Sequence, residues 1–96
     1  MSRYRLTERA EADLLSLFLD GLEWFGLRQA RRYKTELEHC FQLLAENPQM
    51  GRLVESIGPA VRRHVHQSHV ILHEIGDSGI LILAIVPARS VRKLKL

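Results

Sequence analysis

From Ala30 to Leu44 the apolar residues return at three- and four-residue steps: Ala30, Tyr33, Leu37, Cys40, Phe41 and Leu44. That spacing predicts a helix with one apolar face. Arg28, Arg31, Arg32, Lys34, Glu36, Glu38 and Gln42 populate its other sides. Asn47-Pro48 ends it, because proline cannot continue the hydrogen-bond ladder and restricts the residue before it. Beyond that point the period changes. Residues 61–66 and 69–75 read as strands, and residues 80–86 (ILILAIV) form a β-branched run that is apolar on both sides. Gly76-Asp77-Ser78-Gly79 is a strong turn signal and Gln67-Ser68 a weak one.

The segment ahead of the first clear helix carries a second helical pattern, with Ala10, Leu14, Phe18, Gly21, Leu22 and Phe25 in step. Thr7 is suited to cap it, and Glu8 and Glu11 place negative charge on the first turn, where the helix dipole favours it. Gly21 and Gly26 bracket its end, and Trp24 and Phe25 at the bend read as core residues. Residues 4–6 alternate briefly, as a short strand would. The expected order is β-α-α-β-β-β: a single α+β domain over residues 1–96, its N-terminal helical hairpin packed on a small antiparallel sheet.

With 96 residues, 46% hydrophobic and 26% charged, the chain has an ordinary globular composition and a modest core. A net charge of +3 permits an acidic partner or nucleic acid without requiring either. Cys40 is the sole cysteine, which excludes an intrachain disulfide and fits a reducing compartment. The most apolar run, residues 14–27, contains Asp20 and Glu23 and is too short to span a bilayer. The opening MSRYRLTER lacks the apolar core of a signal peptide. A cytoplasmic protein is expected.

Four of the five histidines fall between Val61 and Ile75, behind Arg62 and Arg63. If Gln67-Ser68 is a tight turn, His66 opposes His69, His64 opposes Ile71 and Arg62 opposes His73, all on one face. The other face carries Val61, Arg63, Val65, Val70, Leu72 and Glu74 and is the more apolar. It is therefore expected on the helices, with the histidines on the open side. Zinc ligation by His64, His66 and His69 is one alternative, but the sole thiol sits on a core-facing helix side. Acid–base catalysis is another, but no serine or cysteine nucleophile has a base nearby. The preferred reading is a solvated or partner-covered surface with no metal, cofactor or catalytic residue. The tail from Pro87 onward holds Arg89, Arg92, Lys93 and Lys95 and no acid. It is either a frayed terminus or a basic docking segment.

Residues 4–14 (YRLTERAEADL), 47–52 (NPQMGR), 61–63 (VRR), 68–75 (SHVILHEI) and 80–89 (ILILAIVPAR), in this order and spacing, resemble the ParE toxins of bacterial toxin–antitoxin modules, within the wider ParE/RelE group. The resemblance implies a toxin held inactive by a small ParD-like antitoxin lying across the helical hairpin and sheet. It also implies DNA gyrase as the target, poisoned by binding rather than by catalysis. RelE relatives instead cut messenger RNA on the ribosome, with basic sheet residues and a late His or Tyr. This chain has Ala84 and Pro87 where those relatives often have Arg and His, and His73 where a Tyr is common. The ribonuclease is therefore the weaker alternative, beside an antitoxin-binding module that has lost toxicity. Arg62, Arg63, His64, His66 and His73 are expected to face the antitoxin, and Arg89, Arg92, Lys93 and Lys95 to carry toxicity.

Overall fold

Thr7 turns the chain from strand into helix. In a computed structural model, which describes residues 3–93 as backbone and side chains through Ser90, its Oγ1 accepts the Ala10 N–H at 3.1 Å and donates to the Leu83 carbonyl at 2.9 Å. One hydroxyl thus caps α1 (Glu8–Phe25) and ties it to the last strand. Asp13, a turn and a half on, accepts the backbone N–H of Ile85 at 3.0 Å. That N–H needs a partner, because β1 (Arg3–Leu6) runs parallel to β5 (Gly79–Pro87) only as far as Ile82. The helix carboxylate supplies the acceptor where the neighbouring strand stops.

Gly26 forms the whole bend between α1 and α2 (Leu27–Glu46). Its φ of 88° lies in the left-handed region, where a Cβ would be strained. So tight a bend leaves Trp24 76% and Phe25 66% exposed. The sequence expectation that both are core is corrected: only an open groove lies between them and the turn at Gln67-Ser68.

After α2 come a 3-10 turn (Pro48–Met50) and β2 (Arg52–Leu53), a two-residue strand too short to show as a pattern. Then follow β3 (Arg62–His66) and β4 (His69–Ile75). The strand order is β1-β5-β4-β3-β2. Its pairings are antiparallel except β1 with β5, so the sheet is mixed rather than wholly antiparallel. The β-α-α-β-β-β order otherwise stands, with β2 as an addition. Gln67-Ser68 does form the tight turn, and Arg62↔His73, His64↔Ile71 and His66↔His69 pair as the spacing predicts.

The faces, however, are reversed. Ile71, Ile80, Ile82 and Ile85 pack with Ala10, Leu37, Cys40, Phe41 and Leu44 of the helices. Ile71 shares its face with His64, His66, His69, Arg62 and His73, so the histidine side is the helix side. Val61, Val70, Leu72, Ala84 and Val86 form a second cluster on the far side with Leu83 and Ile57, which comes from the loop after β2. A register shift in the β4–β5 pairing after Leu72 keeps both clusters apolar along β5. Counting apolar residues per face misled because the far face has its own cover, and because α2 offers the histidines polar partners.

Candidate partner-binding surfaces

Tyr33 and Glu36, one turn apart on α2, face the histidine side of the hairpin β3–β4. The Tyr33 hydroxyl lies 2.8 Å from His69 Nδ1, and Glu36 is 3.8 Å from His66 Nε2. Burial lowers the pKa of His69, with His66 adding to the effect, and raises that of the Tyr33 phenol, with Glu36 adding to it. His64 is lowered by burial and by His66. Burial thus favours the neutral forms of His64, His69 and Tyr33, and the Tyr33–His69 pair sits in the seam between α2 and the sheet.

His73 is fully buried, and neither ring nitrogen has a well-formed hydrogen bond. Burial lowers its pKa; the Pro48 and Ile71 carbonyls oppose that shift, while His64 and Arg62 reinforce it. The NPQMGR stretch explains its surroundings. Gly51 is buried, and a Cβ there would lie 2.6 Å from His73 Nε2 and 3.2 Å from Arg62 Cβ. Arg62 Nη1 donates to the Gly51 carbonyl at 2.7 Å. Gly51, Arg62 and His73 thus form one interlocked cluster that pins the segment after α2 to the sheet.

Of the five residues expected to meet an antitoxin, only Arg63 lies on the far face, beside exposed Val65. Arg62, His64 and His66 are half-buried on the helix side. His73 has no surface to offer. The sequence placed the cluster on the open face; packing places it behind α2. Cys40 is buried in the core and burial raises its thiol pKa, so it is an inert packing residue. Among the described residues no three of His, Cys, Asp and Glu converge to hold a metal ion, and no helix is long and apolar enough to cross a membrane. In the tail, Arg89 is exposed on a 3-10 turn (Ala88–Lys93) that includes Arg92 and Lys93. Lys95 lies outside the described residues.

The sequence reading missed the hairpin's outward side. One groove of about 730 Å³ runs between Trp24, Phe25, Arg28 and the Tyr33–His69 pair. Another of about 500 Å³ lies between the helices, with Glu11, Leu15 and Phe18 on one wall and Arg31, Lys34 and Glu38 on the other. Large apolar side chains left open beside cations are the usual mark of a protein-binding surface. A second helical stripe in α1, offset from the one noted in the sequence, was the available signal.

The comparisons with known proteins agree with this architecture. A family profile described as the ParE toxin of the type II toxin–antitoxin system parDE matches residues 4–92. The chain belongs to the ParE toxin family. It is 36% identical over 76 residues to Toxin ParE1 of Caulobacter vibrioides, covering 79% of each chain. With Toxin ParE1 of Mycobacterium tuberculosis it shares 32% over 78 residues, covering 81% of this chain and 80% of the relative. A chromosomal ParDE system from P. aeruginosa has the same fold, with a TM-score of 0.77 at 20% identity over 91% of this chain and 96% of that one. A conserved hypothetical protein from Helicobacter pylori is more distant, with a TM-score of 0.58 at 15% identity over 93% and 97%. The stretches that carry the ParE likeness have structural work here. Thr7 and Asp13 fasten α1 to β5, and Gly51 and Arg62 hold the segment after α2.

Proposed function

We propose that this ParE-type toxin is neutralised by a ParD-type antitoxin and inhibits growth by binding DNA gyrase, without catalysing a reaction. The observation that carries the reading is the seclusion of the histidines. His64, His66 and His73 are the groups that RNA cleavage would need in place of the missing late histidine; all three are on the helix side of the sheet, His66 beside Glu36 of α2 and His73 sealed beneath the segment after it. The open grooves present exposed apolar side chains among charged ones of both signs, which suits gripping a protein. A proton-transfer group must reach its substrate within hydrogen-bond distance.

The antitoxin's inferred chemistry is an acidic, amphipathic helix followed by an extended segment. Its apolar side fits the groove of Leu15 and Phe18, and its carboxylates suit Arg31 on the rim and Arg63 on the far face. His73 drops out of the proposed contact set because it is sealed; Arg62, His64 and His66 remain only as edge contacts. The basic tail with Arg89, Arg92, Lys93 and Lys95 is proposed to engage gyrase. Deleting residues 91–96 should abolish growth inhibition and leave antitoxin binding intact. Retained toxicity would move the target contact elsewhere. The His69–Tyr33 pair at the groove edge is the one feature favouring a ribonuclease, and Tyr33→Phe separates the readings: it should leave toxicity unchanged.

A further inference from the structure

The chain sorts its charges between its two layers. α1 and α2 hold eight acids against five bases, a net charge of −3, whereas the rest of the chain holds three acids against nine bases, a net charge of +6. On the sheet that excess collects on the side turned away from the helices. Tyr4 and Leu6 of β1 pack into the core beneath the helices, so Arg3 and Arg5 point to the far side, and both are exposed. Near the opposite edge Arg52 of β2 pairs directly with Arg63 of β3, which in turn pairs with Leu72 of the far cluster. Like charges directly opposite each other on neighbouring strands are destabilising. Among the described residues no carboxylate offsets them. The ion pairs present join Arg9 to Asp13, Arg32 to Glu36, Lys34 to Glu38 and His66 to Glu36, and none includes Arg3, Arg5, Arg52 or Arg63.

We infer that this far face of the sheet binds the phosphate backbone of duplex DNA, without reading its sequence. Its apolar side chains Val70, Leu72, Ala84 and Val86 are buried, with Leu83 and Ile57 packed against them. Among the described strand residues on that face, Val65 is the one large apolar side chain left exposed, so a protein partner would find no apolar centre to dock on. Aromatic rings are absent there too. Phe18, Trp24, Phe25, Tyr33 and Phe41 belong to the helices, and Tyr4 packs edge-on against Phe41. Unpaired bases are held by stacking on such rings, so a single strand gains no platform. A duplex keeps its bases stacked and presents phosphates, which guanidinium groups pair bidentately. From β1 to β2 the sheet spans four strand spacings, about 19 Å. Long side chains leaning inward narrow that span towards the about 12 Å width of the major groove, so Arg3 and Arg5 meet one phosphate strand and Arg52 and Arg63 the other. Glu74, which pairs with Leu81 between the two sets, lies over the groove. The acidic helix layer orients the molecule so that this face meets the polyanion first. Arg63 is also where the antitoxin's extended segment is proposed to pass, so antitoxin and DNA would exclude each other. The inference rests on this face alone and stands whether or not gyrase is the target.

The test is fluorescence anisotropy of a labelled duplex of arbitrary sequence, titrated with the antitoxin-free toxin from about 50 to about 200 mM salt. Binding is expected, with log K falling against log salt at a slope of about −3.6 or steeper, 0.9 for each of the four arginines. Affinity then drops by at least about a hundredfold across that range. Arg52→Gln with Arg63→Gln should flatten the slope by about 2, and Arg3→Gln with Arg5→Gln by a similar amount. Arg28→Gln with Arg32→Gln removes the same charge from α2 and should leave the slope unchanged, which separates a face from net charge alone. No binding at the lowest salt would overturn the proposal, as would equal losses from the sheet and helix pairs. Tighter binding to single-stranded RNA or DNA than to the duplex would also overturn it. Displacement of the duplex by poly-glutamate at equal charge would mark a surface for an acidic protein instead. A toxin that poisons gyrase yet binds no duplex would leave the proposed function standing and remove this inference alone.

Discussion

Gly51→Ala is the substitution whose cost can be worked most directly from the packing. The backbone at Gly51, with φ of −77° and ψ of 149°, is extended and open to any residue, so glycine is required there for space alone. An alanine Cβ would collide with His73 Cε1, stand 2.6 Å from Nε2 and lie 3.2 Å from Arg62 Cβ. The ring cannot swing aside, because His73 is fully buried. Overpacking of this kind costs about 1–3 kcal/mol. For a chain of this size, each kcal/mol lowers Tm by roughly 4–8 °C. The decisive comparison is a double-mutant cycle with His73→Ala, read by urea or thermal denaturation. His73→Ala alone leaves a cavity and destabilises. In that background Gly51→Ala should become neutral, or stabilise by up to about 1 kcal/mol, because alanine narrows the unfolded ensemble. The two sites should thus couple by about 1–3 kcal/mol. Equal costs for Gly51→Ala in both backgrounds would refute the interlocked cluster.

Three further expectations follow from the same contacts. Asp13→Ala strips the acceptor from the buried Ile85 N–H and should cost about 1–3 kcal/mol, whereas an exposed carboxylate such as Asp20 should cost almost nothing; equal effects would count against the α1–β5 fastening. His64, His69 and His73 have folded pKa values below their ordinary 6.5, so the unfolded chain takes up more protons as pH falls through that value. Their contribution is then fully present above about pH 6.5 and is lost as pH falls from there towards the lowered folded values, so Tm should fall as the medium is acidified from neutral pH. His73→Phe removes two buried nitrogens that lack well-formed hydrogen bonds and should hold or raise Tm at neutral pH while flattening its acid slope; a steeper slope would contradict the placement of that ring.

Much of this architecture was legible in the residues. The step of α2 and its stop at Asn47-Pro48, the Thr7 cap, and the register across Gln67-Ser68 all follow from local rules, and local rules decide them. What the sequence hid depends on who covers whom. Strand parity correctly grouped the histidines with Arg62 on one face but could not say which face α2 would choose. Tyr33 and Glu36 made a polar face acceptable to a helix, and Ile57 made a second apolar face possible. Trp24 and Phe25 looked like core because aromatic residues at a helix end commonly are. A bend consisting of Gly26 alone leaves them nothing to pack beneath. The roles of Asp13 and Gly51 were invisible because each serves a backbone group or ring brought near only by the tertiary fold.

The proposed binding of gyrase, in place of RNA cutting, is decided by adding the purified toxin to DNA gyrase and relaxed plasmid, with reporter translation run in parallel. Loss of supercoiling, accumulation of gyrase–DNA cleavage complexes and intact reporter transcripts are expected, with reversal by antitoxin. Unaffected supercoiling together with cleaved transcripts would contradict it.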